Sequence, residues 1–251
     1  MTQSAREPRP DPRRREEAPG NLTAHVPDRL ARVFLRPLAT PLPVGFLSVV
    51  VATTVFSAIQ LGWISPVEGA VASRVVLILC VPVFLIACVF GFLSRDPVAG
   101  TGMGMLAIGW GSIALAAMTT NLSLPTPGEA VILYTVAGVM LVPVVASFGK
   151  PVAGLVMLLT ATRFAVTATA GLASSYHWTG ATGWADAAGW VGIALAAVGL
   201  YAAFAFELEG VAHKAVLPVP RMGSAKTDDA HVDLDDQAPN LLREAGVRQQ
   251  L

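Results

Sequence analysis

Arg163 is the residue of this chain that packing explains least well. It lies midway along an apolar stretch at about 152–175, with Thr160 before it and Thr167, Gly171 and Ser174 after it, a spacing that puts all five on one face of a helix. Arginine keeps its proton, and at the centre of a lone apolar helix it costs at least about 2.5–3.5 kcal/mol on insertion scales. It must therefore face protein or water. A guanidinium can hold a carboxylate through two parallel hydrogen bonds. The alternatives are a structural cation that caps carbonyls freed by a kink in a neighbouring helix, or a side chain that reaches toward an interface. No acidic residue stands at the same depth of any other apolar stretch to pair with it.

A second polar stripe runs through the first apolar segment, where Thr53, Ser57 and Gln60 fall on one helical face. A bare anion in hydrocarbon is costly, so a route for one must supply donors. Each hydroxyl taken singly has a plainer use, donating to a carbonyl of its own helix. The opening of the same segment offers another device. Pro41 and Pro43 suit a helix start, and the amides of Val44, Gly45 and Phe46, with the positive end of the helix dipole, could hold an anion. The prolines fit a bare helix start equally well.

Other chemistries find few actors. Cys80 and Cys88 stand eight residues apart in one apolar run, about 12 Å along a helix and too far to bridge. The four histidines, His25, His177, His213 and His231, form no cluster at metal-ligand spacing. No metal, cofactor or enzymatic activity is expected. Seventeen basic residues balance seventeen acidic ones, so net charge gives no footprint for nucleic acid.

The elements that must position these residues are transmembrane helices. Of 251 residues 54% are hydrophobic and 14% charged, against about 25% charged in soluble domains. Six apolar segments, at about 44–64, 75–93, 102–121, 130–148, 152–175 and 187–208, approach the roughly 20 residues that cross a bilayer. They are too long and continuous for barrel strands. The fold class expected is an all-α integral membrane protein of six spans, multi-pass in the inner (plasma) membrane. An inside N-terminus puts fifteen of the seventeen basic residues on the cytoplasmic side and leaves Arg74 alone outside, with Arg163 inside a span, so both termini are expected in the cytoplasm.

Small residues at Gly100 and Gly104, and at Gly192, Ala196, Gly199 and Ala203, suit close helix packing. Pro82 and Pro143 should each kink a span. Residues 1–38, rich in Arg and Pro, and the acidic stretch 221–251 read as disordered cytoplasmic segments flanking a membrane domain at 39–220. The arm opens a second reading, a membrane anchor whose Arg-rich segment binds anionic lipid or a cytosolic partner.

Short motifs then suggest a relationship. Ala39-Thr-Pro-Leu-Pro-Val-Gly45 resembles the N-P-A-P-L-G signature of the acetate uptake transporter family, which includes the YaaH-type succinate-acetate permeases. Trp110-Gly-Ser112 stands where that family has Y-G-S, and Gly189-Trp-Val-Gly192, Tyr201-Ala-Ala203 and Val216-Leu-Pro218 follow its G-W-I-G, Y-x-A and V-L-P in order. The match is divergent: Thr40 replaces the usual asparagine and Ala87 the second-helix glutamine. The resemblance implies six helices, a homo-oligomer (a hexamer), and transport of acetate or another small carboxylate such as succinate, with or without a proton. It also implies a constriction built from the first, third and fifth helices, which falls on Val49, Trp110 and Leu159, or on Thr160 in place of Leu159 if the alignment shifts by one. A tryptophan so near mid-span, away from the interfacial belts, needs such a reason.

Overall fold

A proline stands in the first turn of most of the helices, and three of them also carry a polar side-chain cap. The computed structural model describes residues 39–120, 124–212 and 216–218, and among them every regular element is helical: α1 (Leu42–Gln60), α2 (Pro66–Val75), α3 (Val81–Leu93), α4 (Pro97–Thr120), α5 (Pro127–Val139), α6 (Leu141–Ala146), α7 (Pro151–Ser175) and α8 (Ala181–Ala212). Ser65 and Glu68 close a reciprocal capping box at the start of α2, Thr126 and Glu129 another at α5, and the Asp96 carboxylate accepts the Ala99 amide (3.0 Å) at α4. Each cap is followed by a proline whose missing N–H is one the helix start leaves unpaired in any case.

These caps explain where the helices depart from the apolar segments expected above. The second, third and fourth begin at residues 66, 97 and 127, earlier than the apolar runs, because their capped first turns are polar, and the sixth begins at 181, also ahead of its run. Arg74 consequently lies on α2 and not in a connecting loop. The first helix ends sooner than expected, at Gln60, where Gly62 turns left-handed (φ 69°) and the Trp63 amide reaches back to the Ala58 carbonyl.

Joined through their irregular turns, the helices make six spans long and apolar enough to cross a membrane. The helix is irregular ahead of both internal prolines. The π turn Val76–Cys80, in which the Val81 amide bonds the Val76 carbonyl, precedes Pro82 and joins α2 to α3. A break at Met140 precedes Pro143 and separates α5 from α6. In each, the backbone shifts its hydrogen bonding instead of leaving a carbonyl facing a proline ring, which matters because lipid offers no substitute donor. Cys80 and Cys88 are unbridged.

The bundle is packed by its small residues. Gly91 of α3 lies directly on Gly100 of α4, and Gly104 sits against the Cys88 sulfur. Gly199 of α8 fits beside Val50 of α1. At one end, Lys150 donates to Asp96 (2.6 Å) and ties the α3–α4 turn to the start of α7. At the other end, the close of α1 meets the beginnings of α2 and α8 through Ile59 with Gly69 and Leu61 with Gly189. The odd spans, α1, α4 and α7, therefore run in the same direction. Beyond α8 the Tyr201 hydroxyl donates to the Pro218 carbonyl (3.0 Å), so two of the family-like motifs meet in space.

A methyl group at Gly91 would fall 2.7 Å from the Gly100 Cα, whereas at Gly138 it would meet nothing within 4 Å. Gly91→Ala should therefore lower stability by about 1–3 kcal/mol through overpacking. Gly138→Ala should leave it unchanged or raise it by up to about 1 kcal/mol. Thermal unfolding of the purified protein in detergent checks the pair, and equal effects would dismiss the α3–α4 backbone contact as the cause.

Candidate functional site

Buried polar side chains concentrate on two helices. Ser48, Thr53 and Ser57 on α1, and Thr160, Arg163 and Thr167 on α7, make up most of the buried polar groups among the described residues. Because α1 and α7 run the same way and pack in one bundle, both stripes climb toward the same end. The sequence spacing set each stripe on one face, and tertiary packing turns both faces inward.

Gly192 of α8 is where the stripes meet. A methyl group built on it would collide with the Ser57 hydroxyl and lie 2.8 Å from the guanidinium carbon of Arg163 and 2.9 Å from the Thr53 hydroxyl. All three groups thus crowd around one point that only a glycine leaves open. The same residue accepts a hydrogen bond at its carbonyl from Thr53 (3.1 Å). Gly192 belongs to the small-residue stripe read from the sequence as helix packing, and it packs here, but on polar groups.

The hydrogen-bond inventory divides the expected anion-binding residues. Thr160 donates to the Val156 carbonyl of its own helix (2.8 Å), and Thr53 is used by Gly192, so these two hydroxyls are spent on backbone. Four others are not. The Ser57 and Thr167 hydroxyls, the Gln60 carbonyl oxygen and all three guanidinium nitrogens of Arg163 are buried with no partner among the described residues. Arg163 is 1% exposed. Its nitrogens touch no kinked helix's carbonyls, and burial at this depth does not fit a side chain reaching toward an interface.

Above Arg163, one helical turn along α7, Thr167 opens onto a small cleft. Phe56 and Gln60 of α1, Ile113 and Ala117 of α4, Glu129 of α5 and Thr167 line it. The Glu129 carboxylate, nine-tenths buried, is held by its capping box at the cleft edge. A ladder of unpartnered donors therefore leads from Thr167 at the cleft to Ser57 and Arg163 below it, with the Gln60 carbonyl oxygen, an acceptor, also at the cleft.

An aromatic stack stands beside the ladder. Trp110 is fully buried, with Phe56 stacked on it (ring centroids 5.7 Å, interplanar 15°) and Phe164 set edge-on (5.2 Å, 65°). The Phe164 ring fits against Gly109, whose missing side chain leaves it room, and the Trp110 indole N–H has no partner among the described residues. Of the three residues assigned to a constriction, only Trp110 belongs to this stack. Val49 is buried two turns of α1 below Phe56, and Leu159 is partly buried. Sequence reading missed Phe56 and Phe164, although each adjoins a polar rung, Ser57 and Arg163, on an odd span.

The helix-mouth site expected at Val44, Gly45 and Phe46 is reduced by where α1 begins. With Pro41 as N-cap, the Gly45 amide already bonds the Pro41 carbonyl (3.1 Å), and Phe46 lies a further residue into the helix. Only the Val44 amide stays outside the helical ladder. Gly45 and Phe46 are moreover buried, with Met103 covering Gly45. Among the described residues no group of His, Cys, Asp and Glu could hold a metal ion. Expectations for residues 1–38 and 221–251 fall on stretches outside the described residues.

No protein-family model and no curated protein matches the sequence. Among solved structures, the bacterial acetate channel SatP is similar, with a TM-score of 0.60 and 17% identity over 73% of this chain and 99% of that one. The likeness is one of fold, and it accords with the six-span reading.

A structural cation and a ligand-binding cation respond oppositely to removal. Arg163 has no partner to lose, so Arg163→Leu should raise unfolding stability by about 1–4 kcal/mol, as when buried ionic groups are replaced by apolar ones. Gly192→Ala should lower it by about 1–3 kcal/mol by displacing Ser57 and the guanidinium. Chemical or thermal denaturation in detergent measures both. A destabilised Arg163→Leu protein would make the arginine a part of the scaffold.

Proposed function

We propose that this chain forms a transmembrane pathway for acetate or another small carboxylate, a short dicarboxylate such as succinate included in the class. The observation that carries the reading is the fully buried, unpartnered guanidinium of Arg163, set beside the Ser57 hydroxyl and one turn below Thr167. Such a group matches the two oxygens of a carboxylate, and its field offsets the loss of hydration that an anion suffers inside the bundle. The likeness in fold to an acetate channel adds support from outside the site.

In this reading the anion enters at the cleft, passes Gln60 and Thr167, and is held at Arg163 and Ser57. Thr53 and Thr160 shape the site through the backbone they bond. Trp110 sets the width of the route together with Phe56 and Phe164, with Val49 and Leu159 as the further lining that the family resemblance suggests. Both termini lie in the cytoplasm, the protein sits in the inner membrane, and copies of it assemble as a homo-oligomer.

Uptake of labelled acetate into proteoliposomes tests the proposal. Arg163→Leu should reduce uptake by about 10–100-fold, the worth of a lost hydrogen bond to a charged group, in protein that still folds. Arg163→Lys should keep part of the rate by keeping charge without the fork. Trp110→Ala should admit longer acids. If a proton accompanies the anion, acidifying the outer solution will raise uptake. An Arg163→Leu protein that transports at the parental rate would place the anion route elsewhere.

A further inference from the structure

We infer that the Arg163 site selects anions of a single charge, so that it accepts small monocarboxylates and excludes dicarboxylates as dianions. The inference rests on the carboxylate pathway proposed above and narrows its substrate class.

The argument begins with the charges that the interior holds. Arg163 and Glu129 are the two charged side chains that are buried among the described residues. Lys150, the nearest thing to a second cation in the chain's middle, lies at the far end of α7 and is engaged by Asp96. A bound monoanion therefore neutralises the Arg163 charge, with the Glu129 charge left outside that pair at the cleft edge. A dianion would carry one unmatched negative charge into the same low-dielectric surroundings, where charge interactions are least screened.

Donor geometry leads the same way. One guanidinium fork matches the two oxygens of one carboxylate. The other unpartnered donors, the Ser57 and Thr167 hydroxyls on the same two polar stripes and the Trp110 indole N–H in the aromatic stack, are all neutral. A second carboxylate would find no second fork. Its neighbours on the adjoining faces of α1 and α7 would be the rings of Phe56 and Phe164 packed on Trp110, whose faces carry negative electrostatic potential. Those rings suit a methyl or short alkyl end. Glu129 at the cleft edge adds a repulsion that a dianion meets with twice the charge of a monoanion.

The test separates charge from size by using succinate and monomethyl succinate, which share a carbon backbone but differ by one charge at about pH 7.5, where carboxyls are ionised. Each is added as a competitor of labelled acetate, both for uptake into proteoliposomes of the full chain and for equilibrium binding to the purified protein. Monomethyl succinate and propionate should compete, with succinate at least about tenfold weaker. The acetate binding should disappear in Arg163→Leu. Succinate competing as well as acetate would overturn the inference while leaving the transport reading intact. Exclusion of monomethyl succinate together with succinate would assign the selection to size and overturn it as well. Binding of monoanions without flux would uphold the single-charge site and refute transport, and binding of no acid would refute both.

Discussion

A guanidinium cannot shed its proton to escape an apolar interior, and the rest of this bundle is organised around that constraint. Other buried ionisable groups can become neutral, whereas Arg163 must find compensation in position. The helices give it a position, though no hydrogen-bond partner among the described residues, by bringing two hydroxyl-bearing faces together and by opening a glycine gap in a third helix opposite them. None of the three helices achieves this alone. The span that carries the charge contributes hydroxyls one turn on either side, the first span contributes Ser57, and the sixth contributes the absence of a side chain.

The membrane imposes a second demand, that every backbone amide and carbonyl in the apolar layer be satisfied within the chain. The capping boxes at Ser65 and Thr126 and the Asp96 cap satisfy helix starts, the π turn before Pro82 and the break before Pro143 accompany the two internal prolines, and the Gly91–Gly100 contact lets two neighbouring backbones touch. The second and fourth spans, which carry these irregularities, are also the least buried. The first and fifth spans, which carry the polar stripes, are regular throughout. Uninterrupted helices present hydroxyls at fixed heights, and the irregular turns are left to the helices around them.

Apolar run length was enough to read six spans, and the period of 3.6 residues was enough to place Thr53, Ser57 and Gln60 on one face and Thr160, Arg163 and Thr167 on another. Helix starts were less legible because capped first turns are polar, so Pro66 and Pro97 lay outside the apolar runs. What periodicity could not reveal was which hydroxyls are spent on backbone, since Thr160 and Thr167 look alike in sequence yet only Thr160 is engaged. Nor could it pair Phe56 and Phe164 with Trp110. That pairing depends on the rotation of three helices about their axes, and motif alignment directed attention to Val49 and Leu159 instead. Gly192 was visible as one small residue in a stripe, and its polar surroundings come from two distant segments.

The crowding at Gly192 also has a consequence for descent. A chain that replaced Arg163 and Ser57 together by smaller apolar residues would need the gap less, and drift could then fill position 192 with alanine or serine. A chain that keeps the arginine has no such freedom, since even one methyl group would displace Ser57 and the guanidinium together. The two positions, 29 residues apart in this sequence, should therefore covary among homologous chains, with glycine retained wherever the arginine is.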